Sequence, residues 1–404
     1  MESSSEPRNI VIIGGGIIGC CTAYYLTRHP AYDPTLHHIT VLEASKIAGG
    51  SSGRAGGLLA LWAYPSCLVP LSYGLHAELA QEHGGEERWG YRRLHCGQLV
   101  AKARPRARNL TKGYAGGGAS VSLQKRDKET LSTRQAAGLP ADLDWVVAKS
   151  VEEYEAMGDP DTTAQVHPFQ FTTSMAALAT EKGAHIHLGS VTDIVVENGA
   201  VRSVAYRDQQ TSKLHTIPAS TVVLSAGPWT QRIWPAAPIS ALRAHSVTIR
   251  PSRPVSAYAL FTEIEEPGSK RGTRATPEIY ARPQDEVYAC GEGDVEVPLP
   301  ASTDLVQVDE RRCQKIIDQV SSISDELGNG EVLVRQACYL PNVEGAVRGP
   351  LVGETGVAGL LMAAGHTCWG IQNGPGTGKL MSEFVFDGRA KSADIASLDP
   401  RAAL

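Results

Sequence analysis

A short stretch near the N-terminus combines apolar residues with glycines at a spacing that suits binding of an anion. Residues 10–26 read IVIIGGGIIGCCTAYYL, and Gly14, Gly16 and Gly19 lie between a predicted strand and a predicted helix. Glycine at these positions permits a tight turn, lets a pyrophosphate approach the backbone and lets helix and strand pack closely. Amides at the N-terminus of the helix would then face the phosphates. The pattern predicts a dinucleotide-binding site.

Glu43 is the second residue with chemistry in this region. It ends an apolar run, HITVLE, at residues 38–43, where its carboxylate can accept hydrogen bonds from the hydroxyls of a ribose. The segment that follows, residues 44–57, consists mostly of small residues and contains Ser51 and Ser52. Such a loop lets amides and hydroxyls approach a phosphate and then a flat ring, whereas an NAD enzyme would normally continue into another crossover helix. We therefore expect FAD rather than NAD.

Four apolar runs are predicted to form the strands that position these residues. Residues 10–13, 38–43, 221–227 and 360–364 have the length of buried strands, and residues 17–26 predict the helix of a βαβ unit. Farther along, residues 279–289 predict a hairpin, and residues 311–327 predict an amphipathic helix that Gly328 would cap. The strands of the dinucleotide-binding part are thus dispersed along the chain, with a second domain threaded between them.

The composition excludes several other classes of protein. The chain has 404 residues and a formal net charge of -5, so it offers no basic face to nucleic acid or to an acidic membrane. No run of about 18 apolar residues predicts a transmembrane helix, and the start, MESSSEPRN, lacks the features of a secretory signal. The cysteines have neither the spacing of a disulfide framework nor a C-x-x-C pair for zinc. We expect a cytoplasmic protein without a metal site.

Four blocks of the sequence resemble the D-amino-acid oxidase superfamily of FAD-dependent oxidoreductases, which includes glycine, sarcosine and fructosyl-amine oxidases. The blocks are residues 14–26, 43–58, 223–229 (VLSAGPW) and 365–379 (GHTCWGIQNGPGTGK), in the order that the family has. The chain is most similar to fungal members of this superfamily.

The resemblance implies an α/β fold with a Rossmann-like FAD-binding domain and an interleaved α+β substrate domain built on an antiparallel sheet. We assign residues 8–84, 151–239 and 331–390 to the discontinuous FAD-binding domain. Residues 85–150 and 240–330 are assigned to the substrate-binding domain.

The resemblance also implies which residues contact FAD. The pyrophosphate would lie on the N-terminal turn, the adenosine ribose on Glu43, adenine beside Val191 and the isoalloxazine along residues 52–58. A helix beginning near Thr377 would direct its positive end at the flavin pyrimidine. The predicted contacts are Gly14, Gly16, Ile17, Ile18, Gly19, Glu43, Ala44, Ser45, Ser52, Arg54, Ala55, Gly56, Gly57, Leu58, Val191, Ala226, Gly227, Trp229, Gly365, His366, Trp369, Gly370, Gly376, Thr377, Gly378 and Lys379.

The activity that the resemblance implies is oxidation of a small amine or amino acid. A hydride would pass from the carbon of a C–N bond to flavin N5, and oxygen would accept the electrons. The protein then needs little acid–base chemistry, which agrees with the lack of a catalytic triad or metal motif. Two alternatives stay open: a dehydrogenase that uses a quinone or protein acceptor, and a low-turnover flavoprotein that serves as a binding module. Weak candidates for a catalytic role are His366, Arg348, Tyr280 and Arg282.

Two positions depart from the family's pattern. Amino-acid oxidases place an arginine before a proline in the strand that precedes the last block, where it forks onto the substrate carboxylate. Leu340 stands there in this chain, and Arg335, Arg348 or Arg282 are the candidates to replace that arginine. The second position is Cys338, which is either a small buried thiol or, as in sarcosine oxidases, a covalent link to the flavin.

Overall fold

The computed structural model describes residues 7–105, 138–268, 273–345, 347 and 349–404. Its strands are β1 (Arg8–Ile13), β2 (His37–Glu43), β3 (Leu58–Ala60), β4 (Arg92–Arg93), β5 (His95–Lys102), β6 (Val151–Gly158), β7 (Thr163–Gln165), β8 (Ala184–Glu197), β9 (Ala200–Asp208), β10 (Leu214–Pro218), β11 (Thr221–Leu224), β12 (Ile239–Arg250), β13 (Tyr258–Glu265), β14 (Arg274–Ala275), β15 (Glu278–Arg282), β16 (Glu286–Cys290), β17 (Glu331–Val343), β18 (Leu351–Glu354) and β19 (Leu360–Ala364).

The helices that accompany them are α1 (Ile17–Leu26), α2 (Ser51–Arg54), α3 (Val69–His83), α4 (Gly85–Trp89), α5 (Pro168–Thr180), α6 (Thr230–Ile233), α7 (Glu310–Ile323), α8 (Asp325–Gly328) and α9 (Gly370–Asp387). None of these described helices has the length and apolar content needed to cross a membrane.

The first sheet has the strand order β10-β9-β8-β2-β1-β11-β19-β18. Its five central strands, from β8 to β19, run parallel, and the outer strands pair antiparallel. Residues 10–13 of β1 are at most 2% exposed, as expected for an apolar run that is covered on both faces of a parallel sheet. The Rossmann-like part of the predicted fold is confirmed.

Helices α1 and α9 pack closely together beside this sheet. A Cβ at Gly374 would lie 2.7 Å from Ile17 Cγ1, and a Cβ at Gly378 would lie 2.7 Å from Cys21 Cβ. The prediction that the last helix begins near Thr377 is wrong, because α9 already begins at Gly370. Gly374 and Gly378 therefore allow the close approach of the two helices.

The second sheet has the order β17-β12-β16-β15-β13-β5-β6, with β14 paired to β13. It is antiparallel except where β13 and β5 run parallel. On one face, Ile279 and Val287 share a buried cluster with Ile316 and Val320 of α7. The alternating residues, including Tyr280 and Tyr288, form a separate cluster with Leu58. The second sheet therefore presents one face to the glycine-rich loop that follows β2.

The amphipathic helix predicted over residues 311–327 is two helices in the structure. Ser324 is extended, with φ -140° and ψ 121°, and its hydroxyl accepts a hydrogen bond from the Leu327 amide at 3.3 Å. This cap ends α7 at Ile323 and starts α8. Gly328 is the last residue of α8 rather than a left-handed cap.

The division of the chain into two domains stays a prediction. Hydrogen bonds between strands join segments that were assigned to different predicted domains. β17, assigned above to the FAD-binding domain, pairs with β12 of the second sheet along its length. A third, small sheet of order β3-β7-β4 joins residues 58–60, 163–165 and 92–93. Strands from both predicted domains thus meet near residue 58.

Candidate active site

A cavity of about 1220 Å³, which includes space open to solvent, lies at the carboxyl ends of the parallel strands. Its walls include Gly14 after β1, Glu43 at the end of β2, Ala226 after β11 and Gly365 after β19. β1 lies between β2 and β11, so the order of the strands reverses beside it. Parallel α/β sheets bind their ligands at such a point.

The turn between β1 and α1 brings backbone amides to this cavity. Gly14 has a φ of 110°, which favours glycine, and a Cβ there would lie 2.9 Å from the carbonyl carbon of Ser225. Gly16 and Ile17 line the cavity. Gly16, the N-cap of α1, has no side chain to accept from the first amides, and the Ile17 amide donates instead to Ser52 Oγ at 2.9 Å. The other amides of the first turn make this end of α1 an anion site.

Glu43 is held in place by its neighbours. Its carboxylate accepts hydrogen bonds from the amide of Gly15 at 2.8 Å and from the amide of Ser45 at 2.9 Å. The side chain of Glu43 lines the cavity and is only 9% exposed. A carboxylate fixed in this way can accept further hydrogen bonds from a ribose, because each oxygen has two lone pairs.

A segment from the second half of the chain lines the same cavity. Ala301, Ser302 and Thr303 line it together with Val191 of β8. The Thr303 and Ser45 hydroxyls are hydrogen-bonded.

Trp229 and Arg232 hold the same segment. The indole Nε1 of Trp229 and the Nη1 of Arg232 both donate to the carbonyl of Pro300 at 2.8 Å. This segment is therefore anchored to the loop that follows β11.

His366 also lines the cavity and is 3% exposed. Burial lowers the pKa of His366 to about 3, and its Nε2 lies 3.0 Å from the Thr377 hydroxyl. The imidazole is therefore neutral at physiological pH.

Arg282 holds the glycine-rich loop rather than facing open space. Its guanidinium donates to the carbonyls of Ala55 and Gly56, the latter at 3.2 Å, and to the Glu286 carboxylate at 2.6 Å. Arg54 likewise donates to the Ala337 carbonyl at 2.6 Å. Both guanidinium groups thus tie residues 54–56 to the second sheet.

Aromatic rings of the second sheet pack on this loop. Tyr280 and Tyr288 stack with their ring centroids 5.8 Å apart, and the Tyr280 ring contacts Gly56 so closely that a Cβ there would overlap it. Leu58 and Trp369 belong to the same cluster. The second sheet therefore meets the loop at the end of the cavity that leads away from Glu43.

Comparison with known proteins decides the family. Residues 9–384 match the model of the family described as FAD dependent oxidoreductase. The chain belongs to this family. FAD is accordingly its cofactor, as the loop after Glu43 predicted.

Two yeast proteins are similar to the chain over nearly its whole length. The Saccharomyces cerevisiae protein named "Putative oxidoreductase TDA3" is 38% identical, and the match covers 99% of this chain and 95% of that protein. A Schizosaccharomyces pombe protein named in the same way is 36% identical, with coverage of 99% and 100%.

Solved structures share the fold at lower identity. A glycine oxidase from Bacillus cereus has a TM-score of 0.69 and 19% identity, covering 95% of this chain and 96% of its own. An L-proline dehydrogenase from P. horikoshii has a TM-score of 0.69 and 17% identity, covering 98% and 97%. These likenesses support the fold.

The cavity brings together many of the predicted FAD contacts. Its glycine turn, fixed carboxylate and uncapped helix end fit a diphosphate that carries a ribose. The predicted residues that line it are Gly14, Gly16, Ile17, Ile18, Glu43, Ala44, Ser52, Val191, Ala226, Gly227, Trp229, Gly365, His366 and Gly370.

Other predicted contacts lie outside the lining. Gly19 packs on the Gly14 backbone, and Gly376 packs on Ser72 of α3. The Gly376 amide donates to Ser72 Oγ at 2.8 Å, which fixes α9 against α3. The remaining residues outside the lining are Ser45, Arg54, Ala55, Gly56, Gly57, Leu58, Trp369, Thr377, Gly378 and Lys379.

Sequence reasoning missed part of the lining. Ser225 could have been found from its place between β11 and the glycine exit, but no signal marked residues 301–303, which lie far away in the chain. The lining residues that were not predicted are Ile13, Leu42, Gly49, Gly50, Gly189, Ser190, Ser225, Pro228, Arg232, Ile233, Ala301, Ser302, Thr303, Pro341, Ala363, Ala364 and Thr367.

The positions that depart from the family's pattern are also placed. Cys338 is 6% exposed, burial raises its pKa to about 11, and it is not among the lining residues. Arg335 donates to Gln314 at 2.6 Å on the side of α7, away from the cavity. Arg348 lies outside the described residues. Among the described residues, no group of three or more His, Cys, Asp or Glu side chains is placed to hold a metal ion.

Proposed function

We propose that the chain is an FAD-dependent oxidase that acts on a C–N bond of a small amine or amino acid. The observation that carries the proposal is the packing of the second sheet on the loop at residues 54–58, beside the cofactor cavity. This packing brings Leu58, Trp369 and the rings of Tyr280 and Tyr288 into one apolar cluster beside the loop. Structures of the same fold include a glycine oxidase, an iminodiacetate oxidase and an L-proline dehydrogenase, which supports a nitrogen-bearing substrate.

The chemistry needs few protein groups. When bound, FAD supplies the acceptor for a hydride that leaves the carbon of the C–N bond. The substrate loses this hydride and a proton from nitrogen, and water hydrolyses the resulting imine to a carbonyl compound and an amine. Residues of this chain bind the substrate, orient its C–H bond and exclude bulk water.

The charged and titratable residues beside the cavity have positioning roles in this scheme. Arg282 fixes the carbonyls of Ala55 and Gly56 and so sets the path of the loop. His366, neutral because of its low pKa, holds the interior of α9 through Thr377. Neither residue is required to transfer a proton.

A second candidate function is a dehydrogenase that passes electrons to a quinone or a protein. The likeness to an L-proline dehydrogenase, at a TM-score of 0.69, favours it as much as the equal likeness to a glycine oxidase favours the oxidase. Dioxygen, reduced to hydrogen peroxide, is the acceptor that we propose.

An anaerobic screen tests both functions. The FAD-loaded protein is mixed with D-, L- and N-substituted amino acids and with alkylamines, and loss of the yellow colour reports oxidation of a substrate. Admission of air should restore the colour and release hydrogen peroxide. Restoration by a quinone but not by air would favour the dehydrogenase, and a protein that no amine or amino acid bleaches would refute the proposal.

A further inference from the structure

Glu278, at the start of β15, carries a carboxylate that no described cation neutralises. It accepts hydrogen bonds from the Tyr280 hydroxyl and from the Cys290 thiol, whose Sγ lies 3.7 Å away. Burial raises the pKa of Glu278, the direction expected for a carboxylate without a positive partner. Asp294, which is also buried, instead pairs with Arg243 at 3.0 Å. A cation bound beside Glu278 would offset the cost of removing this carboxylate from water.

Aromatic residues lie on the elements beside Glu278. Phe261 lies directly opposite Glu278 in the register of β13 and β15. The Trp62 ring lies 5.9 Å from Phe261 and 5.7 Å from Trp369, both nearly edge to face. Trp62 is 38% exposed and Tyr64, 5.8 Å from Trp369, is 50% exposed, so the group is accessible from solvent. The faces of such rings attract cations.

This group lies next to the cofactor cavity. Thr367 and Gly370, which line the cavity, flank Trp369 in the chain. The pKa of Cys368 is raised mainly by burial of its thiol and also by the negative charge of Glu278. The Glu278 carboxylate therefore lies near the loop at residues 367–369. Trp369 also belongs to the cluster that contains Leu58 of the glycine-rich loop. Glu278 thus lies on the side of the second sheet that faces the loop at residues 367–369.

The described arginines nearest to Glu278 and its aromatic neighbours form hydrogen bonds with other groups. They are therefore not available to bind the carboxylate of a substrate. Arg282 donates to two loop carbonyls and to Glu286, and Arg54 donates to the carbonyl of Ala337. Leu340 is apolar. The described side-chain charge next to Glu278 is therefore negative, which favours an ammonium group and disfavours a carboxylate close to it.

We propose that Glu278, with Trp62, Phe261 and Trp369, binds the positively charged nitrogen of the substrate, which is an alkylamine without a carboxylate on the reacting carbon. The inference rests on the proposed function and narrows its substrate class. Glu278 neutralises the ammonium and accepts its proton before the hydride leaves, so that the neutral amine is the species oxidised, and the rings pack on its alkyl groups.

Binding of an unreactive probe tests the subsite separately from turnover. Choline and its uncharged carbon isostere, dimethylbutanol, are titrated into the FAD-loaded protein while tryptophan fluorescence and the visible flavin bands are recorded. We expect choline to bind at least about tenfold more tightly than the isostere. Glu278→Gln keeps the shape and should abolish this preference.

Glu263→Gln is the matched control, because Glu263 is a carboxylate of the same sheet that already pairs with Arg274 at 2.9 Å. It should leave the preference for choline unchanged. Equal binding of choline and dimethylbutanol by the wild-type protein, or an intact preference in Glu278→Gln, would overturn the inference.

The anaerobic screen separates this inference from the proposed function. Bleaching by alkylamines, with little effect of α-amino acids, supports both. Bleaching by α-amino acids alone overturns the subsite and leaves the oxidase standing. Selective binding of choline without bleaching by any amine overturns the oxidase and leaves the cation site standing.

Discussion

Alanine in place of Gly14 should lower both the stability of the protein and its affinity for FAD. Gly14 has a φ of 110°, where a residue with a Cβ costs about 1–3 kcal/mol. That Cβ would also lie 2.9 Å from the Ser225 carbonyl carbon and 3.1 Å from Ala226 Cα, which are backbone atoms and cannot rotate away. The turn must therefore shift, together with the amides of Gly16 and Ile17. We expect a loss of roughly 2 kcal/mol or more in the free energy of unfolding.

The expected loss of affinity follows from the same shift. FAD would rest on this turn, and a displacement that removes about 1.4 kcal/mol of interaction weakens binding tenfold. Gly74→Ala is the matched control, because Gly74 is exposed on α3 and no atom lies within 4 Å of an added Cβ. Alanine in a helix interior is favoured over glycine by about 0.5–1 kcal/mol, so the two variants should differ in sign.

Thermal unfolding, recorded with and without added FAD, measures both effects. A ligand that binds only the folded state stabilises it by RT ln(1 + [L]/Kd), so weaker binding gives a smaller increase at the same concentration. The wild-type protein and Gly74→Ala should show the full increase, and Gly14→Ala a smaller one from a lower starting midpoint. If Gly14→Ala gains as much from FAD as Gly74→Ala does, the turn does not hold the cofactor.

Three further predictions concern residues around the cavity. Burial raises the pKa of the Cys338 thiol, and Cys338 is not among the residues that line the cavity, so we expect no covalent bond to the flavin. Acid denaturation should therefore leave all the yellow colour in solution, and colour that precipitates with the protein would contradict this. The pKa of His366 is lowered from 6.5 to about 3, so unfolding takes up a proton between these pH values and the free energy of unfolding should fall as pH drops below 6.5. In urea unfolding, His366→Gln should show a shallower fall with pH than the wild-type protein. The same dependence on pH in both proteins would contradict the role of His366. Arg282→Lys should retain less FAD after dialysis than the surface control Arg253→Lys, because lysine cannot fork onto two carbonyls, and equal retention would argue against this role.

The elements that could be predicted from the sequence are those set by local pattern. The run of apolar residues at β1, the glycines of the turn and the carboxylate at the end of β2 lie within one βαβ unit, so spacing alone relates them. Glu43 is held by the amide of Gly15, its neighbour across that unit. Local order of this kind needs no knowledge of the rest of the chain.

The elements that could not be predicted depend on distant partners. Glycines at 374, 376 and 378 have the composition of a loop, but they are helical because α1 and α3 approach them closely. Thr303 reaches the cavity from a segment remote from Ser45, its hydrogen-bond partner. That no cation of the described residues pairs with Glu278 is likewise a property of packing, since the described Arg274 and Arg282 lie close to it in the sequence but pair with Glu263 and Glu286.

The order in which the cavity walls occur along the chain restricts when the cofactor can be captured. A ribosome makes β1, α1 and β2 early, yet β11 begins at residue 221, the lining segment that Trp229 and Arg232 hold lies at 301–303, and Gly365 and Gly370 come last. A nascent fragment that contains the glycine motif still lacks one side of the binding site. Stable retention of the pigment therefore awaits translation to about residue 370, and a yellow protein is one whose separate stretches have already assembled.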